Sequence, residues 1–148
     1  MSFEDQLRQI ASKVDARANA VVKKIVIDIG TSLVLKTPVG DAKYWKHPAP
    51  EGYVGGRARG NWQYALNAPD VSNSSPVDAT ETVTTGRIVG NIPDNATGLV
   101  HYITNSVPYI ERLETGWSER QAPNGMVGIT VTEFDAIVRA ATDALKDG

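Results

Sequence analysis

The side chains able to do chemistry are few and scattered. The 148-residue chain has two histidines and no cysteine, so thiolate catalysis, disulfides and cysteine-ligated zinc are removed together. His47 falls in a stretch rich in Pro and Gly, and His101 in an apolar stretch that reads as a strand. A histidine on a strand is more simply a hydrogen-bonded residue than a ligand. Glu111 and Glu114 are spaced to flank a site together, but on a short helix they read as the solvated face opposite Tyr109 and Leu113. No H-E-x-x-H, G-x-S-x-G, Walker phosphate loop or dinucleotide fingerprint is present. Gly55-Gly56-Arg57-Ala58-Arg59-Gly60 has the composition of a nucleic-acid-binding Gly-Arg element. Two arginines are a small electrostatic footprint, however, and a turn leading into a strand is the preferred reading. The residue chemistry points away from an enzyme and implies neither cofactor nor metal.

Val26-Ile27-Asp28-Ile29-Gly30-Thr31-Ser32 resembles the phosphate-binding hairpin of sugar kinases and their actin-like relatives. That fold needs two domains and roughly twice this length. No second phosphate loop follows, so the segment reads as part of a helix.

That helix is the first of the elements that would position these residues. Phe3, Leu7, Ile10, Val14, Ala18, Val21, Ile25, Ile29 and Leu33 recur at steps of three or four and keep one apolar stripe on a single long helix. Ser2 suits its N-cap, Glu4 and Asp5 suit the positive end of its dipole, and Thr37-Pro38 ends it. A competing reading takes residues 25–29 as a strand, because they are mostly β-branched and Gly30 disfavours a helix by about 1 kcal/mol. Any kink is expected at Gly30. Trp62, Tyr64 and Leu66 alternate with Asn61, Gln63 and Asn67 as a half-buried strand. Residues 68–76 form a polar loop. Asp78 and Glu81 resemble a capping box for a helix over 79–90 with Val83 inward, though its threonines also suit a strand. Residues 99–104 are a good strand. Met126, Val127, Val131, Phe134, Ile137, Val138, Ala141 and Leu145 fall on one helical stripe that Asn124 could cap, with a strand start at 128–131 as the alternative.

Two stretches stand out as places where function could sit. Residues 41–60 have no apolar period and read as an extended loop or arm. Tyr44, Trp45 and Tyr53 provide rigid aromatic anchors, and Lys43, Lys46, Arg57 and Arg59 make the arm basic. Residues 105–134 set one turn signal after another around Tyr109, Leu113 and Trp117. This reads either as a rigid aromatic surface or as a solvated connection with Trp117 tucked inward. Tyr44, Trp45, Tyr53, Arg57, Arg59, Tyr109 and Trp117 are therefore the candidate interface residues.

The string from Ile103 through Phe134, I-T-N-S-V-P-Y-I-E-R-L-E-T-G-W-S-E-R-Q-A-P-N-G-M-V-G-I-T-V-T-E-F, resembles the carboxy-terminal half of the tail-completion (neck) proteins of long-tailed bacteriophages. Thr37-Pro38-Val39-Gly40 and Gly55-Gly56-Arg57-Ala58-Arg59-Gly60-Asn61-Trp62-Gln63 resemble the same family's amino-terminal signature. The likeness spans most of residues 3–145, and residues 41–54 stand as an insertion. It implies a structural virion protein assembled in the host cytoplasm. It implies a homo-oligomeric ring, hexameric, between the head connector and the tail terminator or tube, with DNA passing through the lumen without sequence-specific binding.

One domain is expected over residues 1–148, long enough to bury about two thirds of its unfolded surface. Its class is α+β: a long amino-terminal helix and a carboxy-terminal helix packed on a small, mostly antiparallel sheet, with a long inserted loop or arm. No run of 18 apolar residues occurs, and the first residues lack the basic and apolar regions of a signal peptide, so no membrane role is expected. The net charge of -2 divides into +4 over residues 1–60 and -6 over residues 61–148. That asymmetry reflects either differing solvated faces or a positive face of one subunit meeting a negative face of the next. A small nucleic-acid-binding module using the basic 41–60 loop is the alternative function.

Overall fold

A computed structural model describes residues 2–40, 55–116, 122 and 124–146. The chain begins with α1, Phe3–Lys36. Ser2 and Asp5 form a reciprocal capping box at its start, and the Thr37 N–H bonds back to Val34 O at its end. The helix continues through Gly30, so the stripe of apolar spacings prevails over β propensity at residues 25–29. Gly30 is a point of close approach. A Cβ there would lie 3.2 Å from Ile88 Cγ2 and 3.5 Å from Ile103 Cδ1.

Next come α2 (Arg57–Gly60), β1 (Trp62–Leu66), α3 (Thr82–Asn91), β2 (His101–Asn105), α4 (Ile110–Glu114), α5 (Val127–Thr132) and α6 (Phe134–Leu145). β1 and β2 pair antiparallel, with Trp62 opposite Asn105 and Leu66 opposite His101. The architecture is α+β, as expected. The core gathers Val26, Leu33 and Val34 of α1, Trp62, Ile88, Ile92, Ala122 and Met126. α1 is thus the surface on which the sheet, α3 and the carboxy-terminal half are laid.

Several details depart from the sequence reading. The turn expected before β1 is present at Arg57–Gly60 and is helical, because Gly60 N–H and Asn61 N–H bond back to Gly56 O and Ala58 O. Of the polar alternates, Asn67 is exposed as expected, but Gln63 of β1 and Asn61 just before it are as buried as Trp62. Their amides hold the following loop, Asn61 Oδ1 accepting from Ser75 N–H at 2.9 Å and Gln63 Nε2 donating to Ser75 Oγ at 2.8 Å. The 79–90 helix starts at Thr82, and Val83 faces solvent while Thr84 and Ile88 are buried. Asp78 does cap it, accepting from Thr84 N–H at 2.7 Å and Thr84 Oγ1 at 2.8 Å. Glu81, the other half of the expected box, adopts φ 73 and makes no cap bond. The second strand lies two residues later than expected at its start. The carboxy-terminal stripe is two helices that break at Glu133, and α6 packs chiefly on α1 instead of on the sheet.

α6 runs antiparallel to α1. Phe134 stands beside Ile29, and Thr142 beside the groove lined from Ile10 to Val22.

Candidate assembly surface

Trp62 anchors the foot of the inserted segment. Its indole Nε1 donates to Thr37 Oγ1 at 2.7 Å, and that hydroxyl donates to Leu33 O at 2.6 Å, so one buried chain of bonds ties β1 to the end of α1. Gly56 N–H donates to Val39 O at 2.7 Å. The two ends of the 41–54 segment are therefore clasped together. Gly56 has φ 109, and a Cβ there would meet Asp78 C at 2.6 Å. Glycine is required on both counts.

The candidate interface residues separate here. Arg59 is turned onto its own fold, its guanidinium donating to Leu35 O, Thr37 O and Ala79 O at 3.2, 3.2 and 2.8 Å. Two of those carbonyls are at the end of α1, where cations and donors are favoured. Arg57 is exposed, with its guanidinium carbon 5.9 Å from the centroid of the Tyr109 ring. Arg57 and Tyr109 thus form one surface pair beside the clasped ends. Tyr44, Trp45, Tyr53 and Trp117 lie outside the described residues, as do His47 and most of the loop carrying them.

Glu114 is the residue that sequence reasoning placed wrongly. It is half-buried, and its carboxylate accepts from Met126 N–H and Val127 N–H at 2.9 Å and from Gly128 N–H at 2.8 Å. It caps α5, the role expected of Asn124, which is exposed. Burial opposes its ionisation, but the N–H groups of Gly128, Met126 and Val127 outweigh burial and hold its pKa below the ordinary value. Gly125, at φ 78, lets Glu114 approach so closely. A partner twelve to fourteen residues away leaves no local sequence signal.

His101 bridges structure and makes no free site. Its Nε2 bonds to Ala96 O at 2.8 Å, and Tyr64 Oη lies 2.6 Å from its Nδ1. With Nε2–H donating to the carbonyl, Nδ1 accepts from the tyrosine. Among the described residues no three His, Asp or Glu side chains come together as a metal site requires, and no helix is long and apolar enough to cross a membrane.

The most conspicuous surface is apolar. Phe3, Leu7, Ile10 and Val14 on the first half of α1 are 76, 50, 59 and 61% exposed. Among the described residues only the end of α6 comes near that half, Thr142 standing at the groove that Ile10 and Val14 help to line, and every residue from 2 to 18 is exposed. At the far end of the α1/α6 pair, Val131 and Phe134, 65 and 46% exposed, line a hollow with Ile29, and Val127, one turn before Val131 on α5, is 44% exposed. The two patches are separated by about 22 Å along α1, fifteen residues at the helical rise.

Comparison with protein-family models, curated proteins and solved structures finds no match.

Proposed function

We propose that the chain is a structural subunit of the neck of a long-tailed bacteriophage. In this role it forms a homo-oligomeric ring, hexameric, that joins the head connector to the tail terminator or tube and lets DNA pass. The resemblance of residues 37–40, 55–63 and 103–134 to tail-completion proteins supplies that identity. The observation that carries the assembly role is the pair of apolar patches at opposite ends of α1. A patch on one end that meets a different patch on a neighbour makes a head-to-tail contact, the kind that closes into a ring when its rotation permits. Exposed contiguous apolar surface is characteristic of interaction sites.

The Arg57–Tyr109 pair and the clasped ends of 41–54 offer a second contact, with the inserted segment reaching the connector or the adjacent subunit. The use of Arg59 on three backbone carbonyls reduces what the Gly-Arg element has left for a phosphate backbone. The test is the mass of the purified chain alone and with a tail fraction. A sixfold species on tails is the expected result. Tight, steeply salt-dependent duplex DNA binding by a chain that stays off tails would replace this reading with the nucleic-acid one.

A further inference from the structure

The exposed half of α1 fits a second copy of itself, and we infer that the free protein pairs two-fold through antiparallel α1 arms. Phe3, Leu7, Ile10 and Val14 follow spacings of four, three and four, the 3.5-residue seam of a coiled coil. Laid antiparallel with residue 3 opposite residue 14, the seam sets Phe3 against Val14 of the second copy and Leu7 against its Ile10. The largest of the four meets the smallest, and the two of equal size meet each other, twice by symmetry.

The body of the fold leaves room for this partner and for its direction. The same stripe continues into Ala18, Val21 and Ile29, where α6 lies beside it and runs antiparallel to α1. α6 ends near the level where the second α1 would begin. The incoming helix therefore extends the interface that α6 already makes, in the same direction. Its positive end faces the negative end of α6.

Charge agrees with that orientation. The groove at this level has a volume of about 610 Å³ and is lined by Ile10, Val14, Ala18 and Val21 between Lys13 and Arg17. The first turn that enters it carries Glu4 and Asp5. A parallel pair would bring the two acidic turns together and the two Arg17 side chains together.

The four apolar side chains expose on the order of 400 Å² per copy, so a pair hides on the order of 800 Å² through them. That is below a standard interface and gives a weak, concentration-dependent dimer with Kd on the order of 10 µM. A two-fold pair closes on itself, so it is a state of the free subunit and does not rest on the ring reading. It covers the arm that a head-to-tail contact would need, and so holds the free subunit back from assembling alone.

The absence of cysteine makes the register directly testable in the full chain. Phe3→Cys and Val14→Cys variants are mixed, equilibrated and oxidised. A disulfide between the two different variants is expected, with little in either alone. In sedimentation of the wild type, monomer and dimer should exchange in the micromolar range, and Leu7→Asp should weaken the dimer on the order of 100-fold. Because Leu7 is exposed, its variant should keep the wild-type melting temperature. Wild type that stays monomeric at 200 µM, on the order of twenty times the expected Kd, would overturn the inference. So would Phe3→Cys linking to itself as readily as to Val14→Cys, the mark of a parallel pair.

Discussion

Thr37 receives the indole N–H of Trp62 and donates to Leu33 O, so a single hydroxyl satisfies two buried backbone and side-chain groups. Thr37→Val keeps the shape and strands both partners, at a cost of about 2 to 3 kcal/mol in urea unfolding. Arg59→Ala removes donors from three carbonyls and should lower stability by about 1 to 2 kcal/mol. A variant that is fully stable yet fails to assemble would instead make Arg59 an interface residue. Glu114 adds a pH dependence whose sign follows from its depressed pKa. In the acid window between folded and unfolded values the unfolded chain binds more protons. Stability is therefore full above the unfolded value and declines as pH falls through the folded one. Glu114→Gln should lower stability at neutral pH and flatten the acid limb of the profile, measured by denaturant melts down to about pH 3. Asp78, lowered by its Thr84 and Thr80 bonds against the penalty of burial, contributes with the same sign. Glu114 was visible in the sequence as an acid but not as a cap, whereas Asp78 was readable as a cap but not with Thr84 as its partner. Asp78 bonds at a spacing of six and Glu114 at twelve to fourteen, beyond the three-residue signature of a capping box.

At the scale of elements, legibility followed the strength of local periodicity. α1 was readable almost to the residue because nine apolar positions, a Ser2 cap and a Pro38 stop agree, and propensity at Ile25 to Ile29 could not compete with that many constraints. Gln63 of β1 and Asn61 just before it were misplaced, while Asn67 was not, because period two assigns every alternate residue to water. Asn61 and Gln63 are buried instead by the loop that their amides hold. Val83 was misplaced by hydrophobicity alone, since the phase of α3 is set by Ile88 and by the Asp78 bonds to Thr84. The clasp from Gly56 N–H to Val39 O brings the ends of residues 41–54 together. Deletion of 42–51 with a short glycine bridge should therefore leave a cooperative fold, because closing a short loop between adjacent ends costs little entropy. Loss of cooperative unfolding in that variant would mean that the segment belongs to the core. Head-to-tail joining is the property the deletion should impair.

For the whole molecule, the exposed stripe of α1 was legible as a stripe but not as a surface. Periodicity identifies an apolar face and is silent on whether the chain itself covers it. Here α6 accompanies α1 along Ala18 to Ile29, and the first half is left to water. Apolar side chains left exposed at both patches are what the proposed assembly with neighbours would cover. Substitution at either end, Leu7→Asp or Val131→Asp, should preserve the melting temperature within a few degrees, since surface changes are usually within about 0.5 kcal/mol. Reconstitution tests the proposed joining role most directly. Heads and tails prepared without this chain are mixed with purified wild type or with either variant, and joined particles are counted by electron microscopy. Wild type is expected to restore joining, and the folded variants are expected not to. Heads and tails that join equally well with no chain added would contradict that role.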